Sequence, residues 1–386
     1  MPSFLDGTLD QPTLVRWTQE LVRHPSPQTE FFEAEPAVLA LIDGIAGRLE
    51  ELGLPHSRDA MGNLIVEIGP QSKRGVLLMA YAMTHPASNM EDPYGGEIID
   101  AGGEEAIRGR GIAEQKGSLV AALAATYAAH KRGNLTGRLI FTVSTAGETG
   151  RHDAARSILD TLPIRPDAAV IAIGTTGRVS LGNKGRIDVL VTVRGRPAHS
   201  STPWEGLDAI AGARQAMERL DRINFGGRRH AGLGEVTLSV ISIRSFPLAT
   251  HTIQGEVRMT LDRRLLPGDQ PEEAMAQIKS ALYGLDPFTV DVELGPVMFP
   301  SEVAESSRLI QSIKRGNRDR GLAEPSLFYS HGSLDAGLFA REGIDATMWG
   351  PGDMAQWHSN NEFIRISDLC RGATAYDGFI RDYLGN

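Results

Sequence analysis

Gly109-Arg-Gly-Ile-Ala-Glu-Gln-Lys-Gly117 brackets a single carboxylate, Glu114, between glycines. Glycine admits positive φ and lets two backbones approach closely, so such a loop fixes a short acidic side chain at the mouth of whatever follows. An apolar run from Ser118 to His130 follows, with Leu119, Ala122, Leu123 and Tyr127 at helical spacing. An ordinary loop ending in a helix cap has the same composition. The neighbouring segments decide between the two.

Upstream, Val76–Ala80 reads as a buried strand that leads towards Asp92-Pro-Tyr-Gly-Gly96. Downstream, the strand Leu139–Val143 runs into Gly147-Glu-Thr-Gly150, and Ala168–Ala172 is a further strand. Helices are expected over 11–23 and 33–53, broken by His24-Pro-Ser-Pro27, and Asn63–Ile68 is strand-like. Alternating strands and helices predict an α/β layer: a mostly parallel sheet sandwiched by helices, with ligands at the carboxyl ends of the strands. Past Gly185 the order changes to strand, helix, two strands, helix, strand over Arg186–Val193, Leu207–Leu220, Glu235–Ile241, Glu256–Asp262, Pro271–Leu282 and Thr289–Glu293. That is a ferredoxin-like βαββαβ unit. The chain is therefore expected to form one α/β domain from 1–185 and 296–386, with a lid inserted at 186–295. The first pattern returns from Ser301, through Ala346–Trp349 and a last helix from Ile366.

At 386 residues and 41% apolar content the chain builds cores of ordinary size. Forty-eight acidic residues against 39 basic ones give a net charge of -9, which argues against a nucleic-acid or anionic-membrane partner. The single cysteine, Cys370, rules out an intrachain disulfide framework, and no apolar run is long enough to span a bilayer. Met1-Pro-Ser-Phe-Leu-Asp has neither the basic nor the apolar block of a signal peptide, so a cytoplasmic location is expected.

The order and spacing of these motifs, continued by Gly195-Arg-Pro-Ala-His-Ser-Ser201 and by Gly350-Pro-Gly352 with His358 and Glu362 after it, resembles the M20 metallopeptidase family. These are aminoacylase-, carboxypeptidase- and desuccinylase-like hydrolases. The resemblance implies a pair of divalent metals bridged by an aspartate, with a glutamate beside them as general base. Glu114 stands at the bridging position, Glu148 at a carboxylate ligand and His358 at that metal's histidine. Two carboxylates and an imidazole suit zinc or manganese. The other half of the pattern departs from the family. Tyr81-Ala-Met83 replaces His-x-Asp, Gly174 stands at the third carboxylate, and Gly147 at the general base. At most one metal per chain is expected, with none as the alternative, and His85 or His152 is a candidate replacement base.

The resemblance also implies substrate-facing residues. His199 matches a histidine that crosses a dimer interface to polarise the scissile carbonyl, although a histidine ending a strand also serves as a cap. His251 stands where the family has an asparagine, and Arg264 where an arginine grips the substrate carboxylate, a task that suits its fork. Arg263 and Arg264 read equally well as a solvated pair. Tyr81 would point its hydroxyl into the pocket, and Asp335 in His331-Gly-Ser-Leu-Asp335 would support the site. The implied function is hydrolysis of an amide carbon–nitrogen bond in a small carboxylate-bearing molecule by a homodimer. The alternative is a metal-free pocket that binds a ligand or performs a non-hydrolytic step.

Overall fold

The computed structural model describes residues 4–28 and 36–385. Residues 1–3 and the expected helix start at 33–35 lie outside that range. The chain divides into two compact units: Met1–Gly182 with Ser301–Tyr329 and Asp335–Asn386, and Asn183–Pro300 with Ser330–Leu334.

The first unit is built on a six-stranded sheet in the order His56–Arg58, Leu64–Ile68, Arg138–Ser144, Gly75–Tyr81, Ala168–Ala172, Asp345–Trp349. The last four strands are parallel, and the first two join antiparallel. Gly75–Tyr81 and Arg138–Ser144 are buried at every residue, as expected of strands covered on both faces, so their sequences carry no alternation. Tyr81 pairs with Ser144, and Trp349 with Ala172. The loops after these strands therefore leave the sheet together at its carboxyl end, where α/β folds place their ligands.

Helix Gly117–Arg132 packs between this sheet and the final helix Ile366–Leu384. Its burial is wider than one stripe: Gly117 to Thr126 are all buried, while Tyr127 is only half-buried. Six alanines in this helix lie fully buried, small enough for neighbouring elements to come close. Among the described residues no helix is long and apolar enough to cross a membrane.

The second unit carries a four-stranded antiparallel sheet in the order Leu238–Phe246, Glu256–Leu265, Gly185–Arg194, Thr289–Met298. Helices Ala209–Leu220 and Pro271–Leu282 pack on one face. Ile187, Val189, Val191 and Val193 alternate into that interface against Ala213, Ala216 and Ile278. The period of two in the sequence is thus the period of burial. The strand expected at Glu235–Ile241 lies instead at Leu238–Phe246, while Glu235 joins a short ladder with Arg229. Serines and an arginine among its apolar residues blur the start of that edge strand.

Candidate active site

Glu114 sits on a π-helical turn, Ile112–Lys116, that opens the long helix, a distortion found often at functional sites. Gly111 enters the turn at φ 75°, and a Cβ there would stand 2.8 Å from the Cβ of Thr84, so only glycine fits. A buried carboxylate, Glu362, holds the turn from the other side. It accepts the main-chain N–H groups of Gly111 at 2.8 Å and Ala113 at 2.9 Å, and pairs with the buried Arg110 at 3.0 Å. Lys116, fully buried, donates to the carbonyls of Leu21 at 2.9 Å and His24 at 2.8 Å, tying the turn to the first helix. Burial pulls its ammonium down to a pKa of about 7.

Glu148 leaves the next strand end. Gln28 holds that turn, its Oε1 accepting from the N–H of both Gly147 and Glu148 at 3.0 Å. Gln115 donates to Glu148 Oε1 at 3.0 Å. Burial first, then the Glu114 carboxylate beside it, push the Glu148 carboxyl up to about 7.

His358 completes the cluster from a residue in the left-handed region at φ 57°, a conformation that non-glycine residues rarely hold outside constrained sites. Its Nε2 lies 3.2 Å from Glu114 Oε2, which raises the imidazole's pKa. One ligand atom from each of Glu114, Glu148 and His358 falls within 4.8 Å of the others. Two carboxylates and an imidazole converging at that range fit one divalent ion, which would also relieve the like-charge repulsion felt by Glu148. His85 stacks on His358 with ring centroids 3.9 Å apart and 17° between planes. The carbonyl of Pro86 can only accept, so at 3.0 Å it fixes the His85 proton on Nδ1 and leaves Nε2 as the lone-pair nitrogen. Burial, then His358, lowers the pKa of His85.

The other expected residues form a second group in the same unit. Tyr81 donates to Asp335 Oδ2 at 2.6 Å, and His152 Nδ1 lies 2.8 Å from Asp335 Oδ1, all three buried. Burial and the Asp335 charge push the Tyr81 hydroxyl well above its ordinary range, so it stays protonated. Of the two candidate bases, then, His85 touches the carboxylate–imidazole cluster and His152 belongs to Asp335. Gly147 faces Tyr81 and Met83: a Cβ there would meet Tyr81 Cε1 at 2.8 Å. At Gly174 a Cβ would run into the carbonyl of Ala113 and come within 2.8 Å of that of Pro351. The backbone approach leaves no room for any side chain there.

In the second unit His199 and His251 flank one short ladder, with Ala198 paired to Ile253 and His199 to Thr252. The N–H of Ser201 donates to His199 Nδ1 at 3.2 Å, so a neutral ring carries its proton on Nε2. His251 adopts φ 58°, and its carbonyl accepts from Ser200 at 2.9 Å. Arg264 is engaged by its own neighbour: Nε and Nη2 grip Asp262 at 2.7 and 2.9 Å, and Nη1 reaches Ser333 at 3.1 Å. Sequence reading noted Glu362 without giving it a role and passed over Gln28, Gln115 and Lys116. Only the proximity of Glu362 to His358 hinted at the first, because hydrogen bonds to main-chain groups leave no spacing signal.

A mixed, mostly parallel sheet with carboxylates and a histidine gathered at its strand ends defines a metallohydrolase-type scaffold. The model of peptidase family M20/M25/M40 matches residues 84–382, and the chain belongs to that family. It is 26% identical over 291 residues to the succinyl-diaminopimelate desuccinylase of Alkalilimnicola ehrlichii, covering 72% of this chain and 76% of that one. A probable carboxypeptidase of Uncinocarpus reesii is 24% identical over 294 residues, 71% of this chain but only 63% of that relative's length. Among solved structures, the M20 family metallo-carboxypeptidase of Sulfolobus solfataricus superposes with a TM-score of 0.80 at 16% identity, over 97% of this chain and 99% of that one.

Proposed function

We propose that this member of the family hydrolyses a carbon–nitrogen bond, an amide in a small carboxylate-bearing molecule, at a site that takes at most one divalent ion. The convergence of Glu114, Glu148 and His358 within 4.8 Å carries the reading. These three would hold the ion, zinc or manganese, and a bound ion supplies Lewis acidity and a more acidic water. The one-ion limit is supported by Tyr81 and Met83 standing against Gly147 and by backbone crowding at Gly174. With no side chain at 147 to act as base, the Nε2 lone pair of His85, whose ring stacks on His358, is an acceptor beside the cluster for a proton from the attacking water. Tyr81, kept protonated on Asp335, orders the adjoining wall. His199 offers its Nε2 proton to the substrate carbonyl, His251 lies beside it on the same ladder, and Arg264 takes the substrate carboxylate by exchanging it for Asp262.

A metal-free pocket that binds a ligand or performs another reaction is the second reading. It is favoured by one observation: His358 and Glu114 already satisfy each other at 3.2 Å, and Gln115 satisfies Glu148. Metal analysis of protein equilibrated with zinc or manganese, beside assays on N-acyl amino acids and dipeptides, separates the two. One equivalent, with hydrolysis abolished in Glu114→Gln, is the expected result. Two tightly held ions sink the one-ion limit, and none at all moves the assignment to the second reading.

A homodimer is part of the proposal. Strand Leu238–Phe246 is an edge of its sheet, and Ile241 and Ile243 on it are 58% and 52% exposed. An exposed apolar edge strand is a natural pairing surface for a second copy. Sedimentation equilibrium returning a monomer at all concentrations would remove this part.

A further inference from the structure

The first unit contains a cavity of about 410 Å³ that none of Glu114, Glu148, His358 or Tyr81 lines. Its walls are largely apolar, with Leu322, Ala323, Pro325, Pro351 and Ala375 among them. The size falls in the range of small-molecule pockets. Two polar groups face this space without a protein partner of the kind they need.

Asn317, in helix Arg308–Asp319, is 3% exposed and lines the cavity. Its carbonyl is used, accepting from the N–H groups of Arg320 and Leu322. Its side-chain amide has no hydrogen-bond partner among the described residues and opens onto the cavity, where a ligand can pair with it. Arg178 stands at the cavity's exposed side, its guanidinium 4.5 Å above the ring of Phe328, and no carboxylate among the described residues pairs with it. The acids nearby are already engaged. Asp368 pairs with Arg371, Glu324 lies 3.1 Å from Lys314, and Asp353 accepts from Ala355 at 2.9 Å.

We infer that this cavity is a second ligand site, for a small apolar carboxylate whose hydrocarbon body fills the cavity, whose carboxylate meets Arg178, and whose polar substituent pairs with Asn317. The site is independent of the hydrolytic reading. Its wall at Gly350–Gly352 backs onto the metal-ligand turn, since a Cβ on Gly352 would stand 3.0 Å from Ala113 Cα.

Titration calorimetry on the full chain, with phenylacetate as probe and phenylacetamide as its neutral counterpart, tests the site. Phenylacetate should bind saturably and the amide at least about tenfold more weakly, as loss of a charge-assisted pair implies. Arg178→Ala should weaken phenylacetate by a similar factor, Ala375→Phe should abolish binding by filling the space, and the Glu114→Gln, Glu148→Gln double variant should leave it intact. No saturable binding, or binding untouched by Arg178→Ala, overturns the proposal. Binding lost only in the double variant overturns it too, by placing the probe at the metal cluster. Arg178 is exposed, so that variant decides the matter even if Ala375→Phe fails to fold.

Discussion

The ring of Tyr81 stands against Gly147, so close that a Cβ on residue 147 would lie 2.8 Å from Tyr81 Cε1 and collide with the methyl of Met83. The replacements expected at the strand end and at the base position, Tyr81 and Gly147, are therefore one packing arrangement. Gly147→Glu alone should gain no hydrolytic activity. It should destabilise the fold by about 1–3 kcal/mol, the usual cost of overpacking a filled site. Tyr81→His with Met83→Asp makes room, so the triple variant should regain stability relative to Gly147→Glu. Denaturant melts of the four proteins check this, and a fully stable, active single variant would refute the packing argument.

Metal affinity should fall with acid. Glu148 titrates near 7 in the metal-free protein because of burial and Glu114, and a proton there competes with the ion. Below that pH the apparent affinity should drop by about tenfold per unit for this proton, and more steeply where His358, whose pKa the Glu114 carboxylate also raises, takes up a second. The sign for stability follows from the same shift. A carboxyl whose folded pKa is raised contributes stability that is full below its unfolded pKa and is lost as pH rises through about 7. The bound ion removes that penalty, so the rise in Tm on adding zinc should be larger at pH 8 than at pH 6. An equal rise at both would mean Glu148 is not a ligand.

Much of the scaffold was legible because parallel strands buried on both faces are continuous apolar runs. Gly75–Tyr81 and Ala168–Ala172 announce themselves in that way. The residues that converge were legible for a different reason: Glu114, Glu148 and His358 each stand in or just after a glycine-bearing loop, in an order that resembles the family's. What stayed hidden works through the main chain or through contact. Gln28 and Glu362 serve backbone N–H groups, for which any acceptor at the right place suffices. The contact between Tyr81 and Gly147 joins residues 66 apart, and an acid missing from a sequence does not say what fills its place.

Removing Glu362 should be severe. It holds the main chain of the Glu114 turn and neutralises Arg110, whose guanidinium is fully buried. Breaking a buried pair by deleting one partner costs about 3–5 kcal/mol, so Glu362→Ala should lower Tm sharply and lose metal binding together with structure. Glu362→Gln keeps one acceptor oxygen and should fall between. A Glu362→Ala protein as stable as its parent would show that solvent replaces the pair.

The last prediction concerns His199, whose side chain is exposed and whose Nδ1 accepts from Ser201, leaving Nε2 to donate outwards. An exposed ring held only by local hydrogen bonds contributes little to folding, so His199→Ala should melt within about 0.5 kcal/mol of the parent. If its Nε2 proton meets the substrate carbonyl, the bond strengthens as negative charge develops on that oxygen. Removing such a donor costs about 10²–10³ in kcat, with metal content unchanged because His199 is not a ligand. His199→Gln, which can still donate, should recover part of the loss. Turnover unaffected by His199→Ala would take the residue out of the reaction, and a fall in metal content would assign it to the metal instead.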